Sequence, residues 1–299
     1  MSAKRGKLHA DIGVIGGSGL YGMEGLDGVR EVRPSTPFGR PSDALVLGTV
    51  SGVQVAFLAR HGRGHRLSPS EINYRANIYA LKSVGVTRVI SVSAVGSMKE
   101  GLKPGEIVLP DQFVDHTKRR ASTFFDRGIV AHVAFSEPIC QALAAALFRA
   151  ARETEVVVHK GGVYFCIEGP QFSTRGESLL YRQWGMDVIG MTNMPEAKLA
   201  REAELCYATI ALVSDYDCWH ESEEPVTVEM ILATLQQNAE LATRIIRAAL
   251  PEASEPRVCS CGNALQNALV TAPQNIPSAA RKRLRLLLGH RLPPMKGAH

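Results

Sequence analysis

Two acidic residues, Asp215 and Asp217, end an apolar run in the segment ALVSDYDCWH at residues 211–220. Side chains of a β-strand alternate between its two faces, so a strand through this segment would point both carboxylates the same way. Close carboxylates repel, and burying them without partners costs several kcal/mol. The pair predicts either acid–base chemistry, with both acids titrating as a coupled unit, or a structural role in capping a turn near Trp219.

Three loops that follow predicted strands carry groups that bind anions. They are GVIGGSGL at 13–20 with Ser18, LARHGRGH at 58–65 with Arg60 and His61, and SVSAVGS at 91–97. Backbone N–H groups beside glycines, hydroxyls and arginine all suit phosphate oxygens. Each loop alone is also typical of an ordinary turn or a solvated loop. Ligands gather beyond strand ends in open α/β sheets, so the three together predict a phosphate site.

The glycine loop also matches the dinucleotide-binding pattern GxGxxG, in GSGLYG at residues 17–22. That pattern requires an uninterrupted helix and an acidic residue about twenty positions on. Gly25, Gly28 and Pro34 interrupt the stretch that should be helical. A dinucleotide site is therefore disfavoured, and no cofactor is expected.

Strands and helices alternate along the chain. Strand patterns cover 11–15, 44–50, 53–59, 87–93, 106–110, 161–167 and 187–191, and helical patterns cover 72–85, 137–152, 195–205 and 227–249. Ser51 and Gly52 predict a hairpin turn between the second and third strands. Alternating elements with one hairpin predict an α/β fold, a three-layer sandwich with a mixed central β-sheet.

The composition is that of a globular protein, with 45% hydrophobic and 21% charged residues among 299. No apolar run has the length of a signal peptide or a membrane span, so we expect a cytoplasmic protein without membrane contact. The first linker-like stretch is TAPQNIPSAA at 271–280. We predict one domain over residues 11–250, with 251–299 a basic appendage packed on it.

The net charge of +5 belongs to this appendage, since residues 257–299 hold seven Lys and Arg and no acid, which leaves about −2 for residues 1–256. A nucleic-acid footprint on the folded body is therefore not expected. The stretch RKRLRLLLGHR at 281–291 favours an amphipathic helix that docks its leucines on the body. Binding of nucleic acid through this basic tail is the alternative.

Six cysteines occur, at 140, 166, 206, 218, 259 and 261. None of their spacings matches two CxxC pairs or a Cys₂His₂ site, so no structural metal is expected. Most are predicted to be buried thiols, and the redox state of the CSC segment at 259–261 stays open.

Longer motifs resemble those of the methylthioadenosine phosphorylase branch of the trimeric purine nucleoside phosphorylase family. They are IGVIGGSGLY, TPFGRPSDALVLG, ARHGRGH, NYRANI, CIEGPQFSTRGES and GMTNMPEAKLAREAELCYATIALVSDYDCW, which together extend from about residue 11 to 250. The resemblance implies a purine nucleoside phosphorylase-like α/β domain and a homotrimer or a dimer of trimers. It also implies a pentosyl transfer without a metal, in which inorganic phosphate is a co-substrate and a small nucleoside is the substrate.

The resemblance also implies roles for individual residues. Phosphate would contact Ser18, Arg60, His61, Ser93, the Ala94 backbone and Thr192. The nucleoside would contact Phe172 through the purine, Met191 through the ribose, and Asp215, Tyr216 and Asp217. His132 would reach into the 5′ pocket of a neighbouring subunit, and Val228 and Leu232 would face the 5′ group, although ordinary core packing explains those two equally well.

The acids also favour one purine. Relatives that cleave 6-oxopurines typically have Glu after the aromatic residue and Asn in the base-binding strand, whereas this chain has Ser173 and Asp215. An ionised carboxylate only accepts hydrogen bonds, so it suits the 6-amino group of adenine and a protonated N7. The resemblance therefore implies phosphate-dependent cleavage of S-methyl-5′-thioadenosine to adenine and 5-methylthioribose 1-phosphate. The alternative is a phosphorylase that prefers methylthioinosine, inosine or guanosine.

Overall fold

The computed structural model describes residues 8–17, 25–220 and 228–292, with only the backbone described for 228–238. Its strands are β1 Ile12–Gly16, β2 Asp27–Val32, β3 Leu45–Val50, β4 Val53–Ala59, β5 Arg88–Ser97, β6 Ile107–Leu109, β7 Gln112–His116, β8 Val158–Lys160, β9 Val163–Ile167, β10 Val188–Gly190 and β11 Cys206–Asp215. Its helices are α1 Tyr74–Ser83, α2 Gln141–Arg152, α3 Arg175–Gln183, α4 Asn193–Glu202, α5 Val228–Ser254, α6 Ser278–Arg283 and α7 Arg285–Leu288.

All the described strands belong to one mixed sheet, with the order β2-β3-β4-β1-β5-β10-β9-β7 and with β11, β6 and β8 branching from β5. Strand β5 is parallel to β1 and to β11 but antiparallel to β10. The predicted α/β fold with a mixed sheet is confirmed. The predicted hairpin is confirmed too, because Val50 pairs with Val53 and both turn residues have positive φ, 51° at Ser51 and 79° at Gly52.

Apolar side chains on both sides of the sheet form the core. Helix α1 packs on α4, helix α2 packs on α5, and α2, α4 and α5 all contact β11. Fully buried Ile12, Val55, Ile90 and Ile210 lie in the strands between them. Among the described residues, no helix is long and apolar enough to cross a membrane.

Several predicted bounds are wrong for local reasons. Helix α2 begins at Gln141 rather than 137, after the Cys140 cap. The helix predicted from Pro195 is part of an element that starts at Asn193, but Met194 and Pro195 have non-helical φ and ψ. Short strands β2, β7 and β8 and helix α3 have weak patterns and were not predicted.

The C-terminal segment lies on the same core. Leu284, Leu287 and Leu288 are buried in the main apolar cluster, as the docking interpretation expects. The single amphipathic helix predicted over 281–291 is instead two short helices that meet at Leu284, which has φ −99° and ψ 12°. A domain boundary at residue 250 stays a prediction, and helix α5 continues across it to Ser254.

Candidate active site

The two acids lie together at the end of β11, but not on one face of a strand. A bulge separates Val213 from Asp215, where β11 ends, and Asp217 begins a 3-10 turn with a positive φ of 50°. The Asp217 backbone N–H donates to Asp215 Oδ1 at 2.8 Å. The prediction that strand alternation aligns the acids is therefore wrong. The turn holds them together, and Asp215 also caps it.

Burial raises the pKa of both acids. For Asp215, the Ser214 hydroxyl at 2.6 Å from Oδ2 and the Asp217 N–H oppose this increase only in part. For Asp217, burial raises the pKa, the Ser178 hydroxyl opposes the rise, and the charge of Asp215 adds to it. Desolvation penalises the charged form, which is why the pKa of each acid is raised. A protonated carboxyl is the form that a general acid needs.

Strand β5 changes its neighbour beside these acids. Along one edge it pairs with β1 as far as Ser91 and with β10 from Gly96, and in the described part of the chain residues 92–95 pair with no strand on that edge. The Val92 carbonyl points to this edge, since it accepts from Arg60, and the Val95 carbonyl points to the other edge, where it accepts from Ser214. Strand alternation then directs the Ala94 N–H into the gap.

The acids border this gap. A Cβ added at Gly96 would lie 3.0 Å from Asp215 Oδ1 and 3.2 Å from the Asp217 Cβ, so only glycine leaves room for the pair. The structure thus places the predicted acid pair and the predicted Ser93–Ala94 phosphate contacts along one short stretch of β5.

Arg60 lies at the β1 side of the gap, inside a cage of acceptors. Its side chain is buried and pairs bidentately with Glu196, Nε to Oε2 at 2.9 Å and Nη2 to Oε1 at 3.0 Å. It also donates to the Val92 and Ile15 carbonyls and to the Ser91 hydroxyl. Burial lowers the pKa of Arg60, but Glu196 more than offsets this, so the guanidinium stays charged.

This cage limits what Arg60 can do for an anion. Its bonds within the described residues account for four of its five N–H groups and leave one hydrogen on Nη1. Bidentate capture of phosphate, which the sequence favoured, is therefore excluded in this conformation. The Arg60–Glu196 pair instead links β4 to α4 across the end of β1, with Tyr207 and Ser91 completing the bonds of Glu196.

Three hydroxyls line the gap, and few protein acceptors compete for their hydrogen bonds. Ser93 Oγ and Tyr164 Oη are buried without a hydrogen-bond partner in the described residues. Burial raises the pKa of Tyr164, and the nearby hydroxyls of Ser93 and Thr192 oppose this rise. Thr192 precedes helix α4, and its hydroxyl makes a long 3.4 Å bond to Asn193. Buried polar groups are normally bonded, so this cluster has the chemistry of an oxyanion site.

His61 follows Arg60, and its side chain turns away from an anion. Its Nδ1 lies 2.8 Å from the Leu67 carbonyl, which only accepts, so Nδ1 carries the proton. Burial lowers the pKa of His61 to about 4, and the Leu67 bond opposes this only partly. The ring is therefore neutral at pH 7 and its Nε2 is an acceptor. Any contact of His61 with phosphate would come from its backbone N–H.

A buried arginine outside the predicted set organises the loops on the far side of the gap. Arg120 Nη1 donates to the carbonyls of Met191 and Met194, both at 2.6 Å, and Nη2 donates to the Glu168 carbonyl at 2.6 Å. A Cβ at Gly169 would lie 2.6 Å from Met191 Sδ, so this glycine, with φ 64°, lets the Phe172 loop approach Met191.

The remaining predicted residues are placed less completely. Phe172 is 61% exposed, Ser173 Oγ is buried and unpartnered within the described residues, Tyr216 stacks on His220 at 4.5 Å, and His132 is exposed. Ser18 lies outside the described residues, as do the side chains of Val228 and Leu232 in the first turns of α5. The arrangement leaves Phe172 open to a flat apolar ligand.

Two other features of the described residues lie away from this gap. A cavity of about 330 Å³ is lined by Lys99, His159 and Asp187 among others, where Lys99 pairs with Asp187 and His159 contacts Glu106. One group of side chains could hold a metal ion, formed by Cys140, Cys206, Cys259 and Cys261. Neither feature includes a predicted site residue.

Comparisons with known proteins agree with this geometry. Residues 11–251 match the family described as the phosphorylase superfamily. The chain belongs to the phosphorylase superfamily. It is 57% identical over 282 residues to S-methyl-5′-thioadenosine phosphorylase of Koribacter versatilis, covering 94% of this chain and 97% of the relative. It is 58% identical over 279 residues to that of Geobacter sulfurreducens, covering 93% and 98%.

Solved phosphorylase structures share the fold. A methylthioadenosine phosphorylase from an antarctic soil metagenomic library superposes with a TM-score of 0.91 at 52% identity, covering 94% of this chain and 100% of the other. The Schistosoma mansoni methylthioadenosine phosphorylase in complex with adenine superposes with a TM-score of 0.79 at 38% identity, covering 86% and 96%. The sheet with its partner change at β5 is therefore the fold of this phosphorylase family.

Sequence reasoning missed four residues that support the phosphorylase site: Glu196, Arg120, Tyr164 and Ser178. Glu196 lies in a helical sequence pattern that is typical of an exposed, charged helix surface. Arg120 is one of three consecutive basic residues in KRR at 118–120, and nothing local marks it as the buried one. Ser178 lies in a helix with a weak apolar pattern. Only tertiary contacts distinguish these residues.

The raised pKa of Asp215 predicts how stability changes with pH. Below the ordinary pKa near 3.8, Asp215 is protonated in both the folded and the unfolded chain. The stabilising difference is lost as the pH rises through the higher pKa of the folded state. In Asp215→Asn this loss is absent. The free energy of unfolding of the variant minus that of the wild type should therefore become more positive between about pH 4 and pH 8.

Urea unfolding at a series of pH values and one protein concentration measures this difference. Asp27→Asn, at an exposed position on edge strand β2, is the matched control and should give no such increase. A difference for Asp215→Asn that stays flat, or falls as the pH rises, contradicts a raised pKa.

Proposed function

We propose that this chain catalyses the phosphate-dependent cleavage of S-methyl-5′-thioadenosine to adenine and 5-methylthioribose 1-phosphate. The observation that carries the proposal is the half-buried Asp215–Asp217 pair beside the open edge of β5, where unpartnered hydroxyls gather within the described residues. The printed names of the relatives at 57% and 58% identity support the same reaction. The proposal needs no cofactor, because phosphate itself is the attacking co-substrate.

Asp215 acts on the leaving base. Cleavage of the C–N glycosidic bond places negative charge on the departing purine, and protonation at N7 removes that charge. Burial raises the pKa of Asp215, which favours the protonated form that can donate to N7. A positioned general acid contributes about 10²–10⁴-fold to the rate.

Asp217 holds the base in place. Its Oδ2 accepts from Ser178, so Oδ1 is left to accept from the 6-amino group of adenine. A 6-oxopurine would present an acceptor there, and two facing acceptors repel. Phe172, exposed and close to the gap, stacks on the purine, with Ser173 and Tyr216 completing the base side.

Phosphate occupies the gap in the edge of β5. The Ser93 and Thr192 hydroxyls, the Ala94 N–H and the His61 N–H donate to its oxygens, and Ser18, which lies outside the described residues, is the further contact that the family resemblance implies. Arg60 contributes one N–H and a charge that Glu196 largely neutralises. A preorganised set of neutral donors binds the dianion and orients it towards C1′, where it also stabilises the positive ribose.

The ribose and its 5′ group complete the substrate. Met191, fixed through its carbonyl by Arg120, lies under the ribose. Val228 and Leu232, whose side chains lie outside the described residues, are the apolar residues that the family resemblance implies for the methylthio group. One buried methylene is worth only about 1–3 kcal/mol, so adenosine is a weaker substrate rather than an excluded one.

The active assembly is a homotrimer, with His132 of one subunit completing the 5′ pocket of the next. Val130 and Val270 are 44% and 61% exposed and sit beside His132, joined by a Val270 N–H to Val130 carbonyl bond of 3.0 Å. Exposed apolar side chains of this kind are typical of a subunit interface.

Two other functions are less well supported. A preference for methylthioinosine or inosine conflicts with the acceptor oxygen that Asp217 would present to the 6-position of the base. Binding of nucleic acid through the basic tail conflicts with the pairing of tail arginines to body groups, since Arg283 and Arg291 bond to Asp126 and Glu204.

A substrate panel tests the proposed reaction. At fixed phosphate, kcat/KM is measured for S-methyl-5′-thioadenosine, adenosine, methylthioinosine and inosine. Methylthioadenosine should exceed methylthioinosine by up to about 10⁴-fold because of the base acceptors, and adenosine by about 10–200-fold because of the 5′ pocket. Equal rates for the adenine and hypoxanthine nucleosides, or turnover without phosphate, would refute the assignment.

Asp215→Asn tests the general acid. The variant should release adenine about 10²–10⁴-fold more slowly at saturating phosphate, because the amide cannot supply a proton to N7. Any remaining activity should shift towards methylthioinosine. Asp27→Asn on the exposed edge is the control with unchanged kinetics. Wild-type turnover of methylthioadenosine by Asp215→Asn would rule out this role.

Mass measurement and mixing test the trimer. Light scattering should give three chains per particle, and His132→Ala should raise KM for methylthioadenosine while leaving the trimer intact. In mixed trimers of His132→Ala and Asp215→Asn chains, some sites receive both an intact Asp215 and an intact neighbouring His132. Mixing should therefore restore part of the wild-type KM, and a fully active monomer would contradict the shared pocket.

A further inference from the structure

Four cysteines that are far apart in the chain meet at one end of β11. Cys140 caps helix α2, Cys206 begins β11, and Cys259 and Cys261 flank the start of a 3-10 turn in the C-terminal segment. Their sulfur atoms all lie within 4.8 Å of one another, and the Cys206 and Cys259 sulfurs are 3.4 Å apart.

These separations match a tetrahedral thiolate site. Four sulfurs bound to Zn²⁺ at about 2.3 Å form a tetrahedron with edges of about 3.8 Å. A disulfide needs its sulfurs at about 2.05 Å. The cluster has the number and type of ligands that zinc requires, at nearly the required spacing. All four sulfurs lie in one group rather than in two close pairs.

We propose that Cys140, Cys206, Cys259 and Cys261 form a structural tetrathiolate zinc site. Each thiol loses its proton when it binds, so the bound Zn²⁺ and four thiolates carry a net charge of about −2. Tetrahedral S₄ coordination selects zinc among the common divalent ions, and a site with four protein ligands leaves no open position for catalysis. The cysteine spacing in the sequence predicts no metal. This proposal departs from that prediction because the four cysteines come together only in the tertiary structure.

The protein holds two of the ligands in place by backbone bonds. The Cys140 N–H donates to the Tyr207 carbonyl at 2.8 Å, and the Cys206 N–H donates to the Thr87 carbonyl at 3.0 Å. Cys140, Cys206 and Cys261 are buried, and Cys259 is half-buried. A site with ordered ligands and little water requires less reorganisation on binding the ion.

The surroundings also favour negative charge. Arg257 and Arg291 approach Gly262, next to Cys261, and Glu204 offsets part of their charge.

The ion would attach the C-terminal segment to the body. Cys140 and Cys206 belong to the sheet and its helix, whereas Cys259 and Cys261 belong to residues that follow α5. Metal binding is folding free energy for the elements that it joins. The inference is independent of the proposed phosphorolysis, since the cluster includes none of the residues placed at that site.

Metal analysis of the full-length protein tests the site. Protein prepared under reducing conditions without chelators should contain about one zinc per chain, and cobalt substitution should give the intense visible bands of tetrahedral thiolate coordination. Removal of the zinc should accelerate hydrogen exchange in residues 257–292, with β1 and β4 unaffected.

Variants separate metal binding from folding. Cys259→Ser should weaken zinc affinity by at least about 10–100-fold, and Cys259→His should retain zinc because imidazole is also a zinc ligand. Cys218→Ser, which changes an exposed thiol outside the cluster, should keep the full zinc content. Zinc-free protein that takes up neither zinc nor cobalt, disulfides among the four residues in the reduced preparation, or stoichiometric iron in place of zinc would each overturn the proposal.

Discussion

The change of partner along β5 is the constraint on which the site depends. Because β1 pairs with β5 only as far as Ser91 and β10 begins only at Gly96, a short stretch of strand keeps backbone groups that the sheet does not use. The buried Arg60–Glu196 pair links β4 and α4 beside this stretch of strand.

Two half-buried acids lie beside the same gap. Their desolvation costs stability, and the bonds from Ser214, Ser178 and the Asp217 N–H recover only part of that cost. A sheet optimised for stability would not retain such a pair. A site that must hold a proton for a leaving base needs a carboxyl whose charged form is destabilised. The compact core of the surrounding sheet supplies the stability that this pair of acids removes.

The fold was largely predictable because alternating apolar patterns and the Ser51–Gly52 turn are local signals. The position of Asp215 was predictable for the same reason, since it ends the longest apolar strand run. The relation of Asp217 to Asp215 was not, because it depends on a bulge and a residue with positive φ. Arg60 was found from the sequence, but its pairing with Glu196 was not, because Glu196 is 136 positions away in the chain.

The cysteine cluster was not predicted for the same reason, since it too depends on contacts between residues that are far apart in the chain. Spacing rules for metal sites describe ligands that lie close in sequence, and here the ligands come from a helix cap, a strand start and a turn after the last long helix. Each thiol by itself has the pattern of an ordinary buried cysteine. What distinguishes the four cysteines is the path of β11. Its first residue, Cys206, lies at the α2 cap, and its last residue, Asp215, is one of the two acids. One strand therefore positions both the reactive end of the molecule and the anchor for its C-terminal segment, and a change in its register would disturb both.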